Sequence, residues 1–330
     1  MKSRFSLVIA IAVAGLGAVY PSSGQQITSD IEVSGASTKD GYGNSNCDED
    51  GELYRIRMNA RPGGEPVSVM RVAKDGSTVL FTIPQPDWGI QAISPSADGL
   101  IVAANSGDGA ERGLTHIYHF DLQGSLQSQR TVTLDFQLVA MAETKSGMTI
   151  AVGYRPRLEM NKEARTYGGA VLNAADKVVK PFEFQPTTEG ERWKVVSTHR
   201  MWVDEHGVSF AVQSGDAPNY AIATIDDSGG VAILPLKTVN GARHHDWFFA
   251  KGVAAELYQF AEGAPPRPVK IDVFDLVTGK NLGTKTRPNV GFADACYLGD
   301  EMSMTAHSAH VEKSRGLSPD ALRLVTVRLE

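Results

Sequence analysis

The chain has 330 residues, of which 42% are hydrophobic and 21% charged, with two cysteines and a formal charge of −6. A mildly acidic balance gives no support to nucleic acid or an anionic membrane as partner, since both select basic patches. A chain of about three hundred residues ordinarily divides into two domains, unless a repeat architecture removes the need.

In chain order, the first element is a leader. Lys2 and Arg4 precede an apolar run from Phe5 to Val19, and Pro21-Ser22-Ser23-Gly24 supplies small residues before Gln25. This is the pattern of an export signal over residues 1–24, although a cut after Ala18 also fits. The apolar run is shorter than the ~20 residues of a membrane span, so no membrane insertion is expected; an uncleaved anchor is the competing reading. Removing Lys2 and Arg4 leaves a mature chain of charge −8 over residues 25–330, expected to be a single soluble domain and a monomer.

A turn glycine after an apolar strand then recurs at Gly51, Gly99, Gly147, Gly207, Gly252 and Gly299, in steps of 48, 48, 60, 45 and 47 residues. Periods of that length indicate a ring or solenoid of β-units. The second unit is the clearest. Gly89 to Ile93 is a short apolar strand, Leu100 to Ala104 is apolar throughout, as befits a strand buried on both faces, and His116 to Asp121 and Leu126 to Leu134 grow more polar. Four antiparallel strands of that kind describe one propeller blade.

The other units follow the plan. Blade one has Leu53 to Ile56, Val67 to Val72 and Val79 to Phe81; blade three has Gln137 to Ala142, Met148 to Gly153, Gly168 to Leu172 and Val178 to Phe184. Blade four runs Arg200 to Val203, Val208 to Val212, Ala221 to Ile225 and Val231 to Leu236, and blade five Trp247 to Ala250, Ala254 to Phe260, Val269 to Leu276 and Asn281 to Thr286. Blade six has only Ala293 to Leu298, Met302 to Ala306 and Leu322 to Leu329. Its missing strand is supplied by Ile27 to Val33, because a bare sheet edge would leave a row of unpaired backbone groups. The expected fold is therefore all-β, a six-bladed β-propeller closed by an N-terminal strand; seven blades remain the alternative if the stretch Gln185 to Val196 hides another.

Cys47 lies four residues before Gly51 and Cys296 four before Asp300, so both sit at equivalent places in blades that adjoin once the ring closes. In an exported protein this reads as a disulfide across the seam, with two buried thiols as the alternative.

The blade-two stretch Trp88 to Ala104, with Ile117-Tyr118-His119-Phe120-Asp121, resembles NHL-type and TolB-like six-bladed repeats. The resemblance is one of rhythm over most of the mature chain. Trp-Asp endings, paired kelch glycines and a sialidase Asp-box are absent, and no residue role carries over.

Blade topology puts the loops before each inner strand on the face that carries the strand-two-to-three loops, where propellers usually bind ligands. Candidate binding residues there are Asp87, Trp88, Asp135, Arg155, Arg157, His199, Arg200, His244, His245, Asp246, His307 and His310. The acid–aromatic pairs Asp87-Trp88, Asp135-Phe136 and Asp246-Trp247 read first as a loop cap beside a ring packed between blades. The histidines with Asp246 are suited to proton exchange or a metal, but neighbours on a regular strand point to opposite sides, so no metal site and no cofactor is assigned. The charged stretch Tyr154 to Thr166 is expected to be a long loop overhanging this face. Asp226-Asp227-Ser228-Gly229 faintly suggests a calcium loop but falls at a hairpin. No nucleophile elbow, zinc motif or phosphate loop occurs. The function expected is a secreted or periplasmic propeller that binds a protein or glycan through its channel-mouth face; the alternative is a propeller hydrolase or lyase with an acid–base or metal site there.

Overall fold

A computed structural model describes residues 27–37, 41–58, 66–84, 88–96, 98–106, 114–159, 162–185, 192–196, 201–214, 219–239, 242–260, 269–287, 294–307 and 321–330. Among these there is no helix, so none is long and apolar enough to cross a membrane. The strands form six antiparallel sheets, arranged as the blades of a ring. Blade six has the order Ile27–Ser37, Ala321–Arg328, Glu301–His307, Asp294–Tyr297 from outside in, so the N-terminal strand completes the last blade as expected.

Among the described residues no strand ladder joins one blade to the next; packing does, with isolated backbone bonds such as Thr286 N–H to Glu330 O at 2.7 Å between blades five and six. Six apolar clusters fall one at each junction between neighbouring blades. The second strands show why. Leu100, Val102 and Ala104 face blade one, while Ile101 and Ala103 face blade three, so every position of the run is buried and the usual alternation disappears.

The stretch before blade four is not a seventh blade. Trp193–Val195 and Trp202–Asp204 both pair with Gly207–Ser214, so they are two halves of one interrupted inner strand. The interruption falls at a place already irregular elsewhere. In blade two Ile90 faces Ala104 and Ala92 faces Ala103, leaving Gln91 extra. Blade three leaves Val139 extra in the same way, blade five leaves His245, and in blade one Tyr42 to Ser45 spans one residue more than its partner. Each is a β-bulge, and the positions agree to within about one residue when counted back from the turn glycine of the blade. Blade four replaces a one-residue bulge by a longer excursion, and that absorbs part of the 60-residue step.

The seam between blades six and one has the smallest apolar cluster, seven buried side chains against fifteen between blades three and four among the described residues. Other fasteners make up the difference. Cys47 and Cys296 form a disulfide with Cα atoms 5.8 Å apart. Arg55, fully buried, donates from Nη1 to Thr305 Oγ1 at 3.1 Å and lies 3.7 Å over the Tyr42 ring. At the outer edge Ser34 N–H donates to Gly76 O at 2.9 Å and Thr78 Oγ1 to Ser34 O at 3.0 Å. Two glycines permit this closeness: a Cβ on Gly51 (φ 80°) would meet Leu298 of blade six at 2.0 Å, and one on Gly76 (φ 82°) would meet Glu32 O at 2.5 Å.

Candidate functional site

Among the described residues, the most extended feature on the face carrying the loops before each inner strand is one that the sequence presents as a loop. Thr149–Glu159 and Lys162–Leu172 are continuous strands of 11 residues, paired from Thr149↔Leu172 to Glu159↔Lys162. The other second strands have six to eight residues. Five further pairs beyond Tyr154↔Tyr167 carry this hairpin roughly 15 Å past the blade. A proline and charged residues with no apolar alternation hide such a ribbon in the sequence, because the period that identifies strands is missing.

Its root is fastened. Arg155 donates to Asp135 from Nη2 at 2.7 Å and from Nε at 3.1 Å, and from Nη1 to Glu183 at 2.8 Å. The Tyr154 hydroxyl donates to Gln137 Oε1 at 2.6 Å, and the Tyr154 and Tyr167 rings lie 5.6 Å apart. With Asp135 72% exposed, the ion pair contributes at most ~1 kcal/mol, so its role is to orient the arm.

Of the remaining candidate residues, Asp246 accepts the Trp247 N–H at 2.8 Å, and Trp247 and Phe136 are buried between blades. The cap-and-pack reading therefore describes Asp246-Trp247, whereas Asp135 is drawn to Arg155. His244 and His245 sit on an irregular strand, since the bulge falls at His245, which removes the premise of strict alternation there. For Trp88, Arg157, His244, His245 and His307 the strand positions are described but not the side chains; Asp87, His199, Arg200 and His310 lie outside the described residues. Among the described residues no three His, Cys, Asp or Glu side chains cluster as a metal site. Asp226 caps its own hairpin, with Oδ1 accepting from the Ser228 hydroxyl at 2.7 Å and from Ser228 and Gly230 N–H at 2.8 Å each, and these bonds, the hydroxyl's foremost, hold its carboxyl below the usual range.

The opposite end of the channel holds a concavity that the sequence did not signal. A cavity of about 670 Å3 opens among the turns that join first and second strands, with walls from all six blades. Asp48, Glu49, Asp50, Glu52, Asp98 and Glu143 line it, against Arg71 and Lys145. Burial raises the carboxyl pKa of Asp48 and Glu52, and Asp50 and Asp48 respectively add to the rise. Burial also raises Glu143, with Asp98 and Asp176 adding to it and His119 opposing it. Along the chain these acids are scattered; ring closure gathers them.

A carboxyl held above its unfolded pKa destabilises the native state when ionised, and that cost vanishes as falling pH protonates it. Glu143→Gln is therefore expected to melt ~1–3 °C above the parent at neutral pH and to lose the advantage below the glutamate range. Calorimetry across pH checks this; an equal shift at every pH contradicts it.

No protein-family model matches the chain, and no curated protein does. Among solved structures it is similar to a neuraminidase-like influenza protein from a Peruvian flat-faced bat, at 11% identity and TM-score 0.49, covering 86% of this chain and 85% of that one. It is also similar to an acylaminoacyl peptidase, at 13% identity and TM-score 0.49, covering 87% of this chain and 51% of that one. Prolyl oligopeptidase B from Galerina marginata shows 11% identity and TM-score 0.45, covering 81% of this chain and 40% of that one. The chain thus spans about half or less of either peptidase. Likeness at this level brings no activity and no residue role. The ring itself defines the class: a six-bladed β-propeller closed by its own N-terminal strand, with no particular family shown.

Proposed function

We propose that the protein is an exported, non-catalytic binding propeller that engages a protein or glycan partner across the face bearing the long hairpin. The observation that carries the reading is the arm itself, a fully paired ribbon beyond the ring, rooted by Arg155 between Asp135 and Glu183. A backbone already paired as a ribbon has less conformational freedom to lose on binding than an open loop. The leader-like N-terminus and the disulfide support export, since such bonds persist in oxidising compartments. Against a hydrolase or lyase, Asp135 and Asp246 each spend acceptor capacity on a neighbouring group.

The test is a variant in which residues 156–165 give way to a tight turn, compared with the parent on a glycan array and against extracellular proteins. The parent is expected to retain a ligand that the shortened protein releases, with both melting alike. Equal retention by the two rejects the arm, and turnover of a glycoside or ester substrate by the parent rejects the non-catalytic reading.

A further inference from the structure

The inner-turn end of the channel is divided into two halves of opposite character. Blades one to three supply the carboxylates, Asp48 to Glu52, Asp98 and Glu143. Blades four to six supply Met201, Trp202, Val203, Phe248, Phe249 and Tyr297, with no charged side chain among the lining residues described there. We propose that this cavity is a binding site for an amphiphilic cation, an ammonium or guanidinium group joined to an apolar body, with the charge on the blade-one-to-three side and the body against the aromatic wall.

Several observations converge on that chemistry. Six carboxylates face two cations, and one of those cations is already engaged, Arg71 Nε lying 3.5 Å from Glu52 Oε2. The carboxyls whose pKa is raised are crowded and partly dried, so a cation relieves repulsion that the apoprotein carries. Tyr297 is 4% exposed, lines this cavity, and also walls a second cleft of about 530 Å3 between blades five and six. Burial, with Asp300 nearby, pushes the pKa of its hydroxyl up to about 12, so it stays a neutral donor and acceptor. Aromatic faces beside carboxylates favour organic cations over hydrated metal ions, and the carboxylates are not grouped as metal ligands among the described residues. The remaining inner turns add Asp204, Glu205 and Glu301 against Lys251, while Asp300 is paired with Lys285 Nζ at 2.6 Å, so the balance at this end stays acidic and steers cations to it.

This site lies at the opposite end from the hairpin arm and stands whether or not the arm binds. The cationic group can belong to a free amine or to an arginine or lysine beside an apolar residue in a polypeptide, and the probes separate these sources. The mature protein is titrated calorimetrically with phenethylammonium, with neutral phenethyl alcohol, with methylammonium, and with the capped dipeptide Phe-Arg. Phenethylammonium is expected to bind at least about tenfold more tightly than either the neutral isostere or the small cation, because only it uses both halves. Tighter binding of the dipeptide assigns the site to a polypeptide segment, and tighter binding of the amine to a free ligand. Asp98→Asn with Glu143→Gln is expected to weaken phenethylammonium about fivefold or more while leaving phenethyl alcohol unchanged. Comparable binding of the alcohol or of methylammonium, or no binding of any cationic probe up to about 10 mM, the range expected of fragment-sized ligands, overturns the proposal. The comparison of ligands needs only the parent protein, so it decides the matter even if a variant fails to fold.

Discussion

Replacing Cys47 and Cys296 together by alanine is expected to remove about 4–5 kcal/mol of unfolding free energy, the largest loss available from a single crosslink in this chain. The bond closes a sequence separation of 249, nearly the whole described chain, so its loss frees the unfolded state more than a local bridge would. It also sits at the junction with the smallest apolar cluster among the described residues, whose buried members are Val33, Leu53, Met70, Val72, Cys296, Leu322 and Leu324. In denaturant the midpoint should fall and the slope should rise, because an uncrosslinked chain exposes more surface when it unfolds. Thiol titration of the parent before reduction should find no free cysteine. An unchanged midpoint would mean that the backbone clasp alone closes the ring.

Deleting residues 27–37 is expected to be as damaging by a different route. The deletion uncovers the Ala321–Arg328 edge and removes Val33 from the seam cluster. It strips Arg323 of Asp30, whose Oδ1 accepts its Nε–H at 2.5 Å, and breaks the Ser34–Gly76 bond to blade one. A freed edge pairs with other molecules, so the truncated protein should aggregate, and a peptide spanning Ile27–Ser37 supplied separately should restore a monodisperse species. The milder Val33→Asp, which buries a charge without a partner, is expected to cost about 3 kcal/mol or more. Light scattering and thermal melts check both. A truncated protein that melts cooperatively within a few degrees of the parent shows that the strand is dispensable.

What the sequence discloses and what it conceals follow from where signals are local. Leu100 to Ala104 declares a strand buried on both faces because its partners need not be known to read it, and the turn glycines mark each blade in the same local way. The disulfide is legible because matched offsets from Gly51 and Asp300 become proximity once a ring is assumed. The ribbon beyond Tyr154 is not legible, since Arg155 to Arg165 carry no apolar alternation of the kind that identifies strands. Nor is the inner strand of blade four, cut into Trp193–Val195 and Trp202–Asp204, each too short to signal itself. The cavity is the extreme case. Asp48, Asp98 and Glu143 are about one blade apart in sequence and become neighbours only around an axis. The nearest hint was the run Asp48-Glu49-Asp50-Gly51-Glu52, which looks like an ordinary polar turn.

The recurrent bulge on the inner strands has a consequence for how such a ring can be altered. Residues on either side of it stay locked in register with the second strand, as Ile90 and Ala92 do around Gln91, so the chain between them is decoupled from blade geometry. Blade four already tolerates an enlarged excursion at that point without adding a blade or disturbing the clusters on either side. The position is thus a graft point: a foreign loop placed at Gln91 or Val139 starts and ends on fixed backbone beside the channel. Diversity can accumulate there, by evolution or by design, while the scaffold around it remains the same.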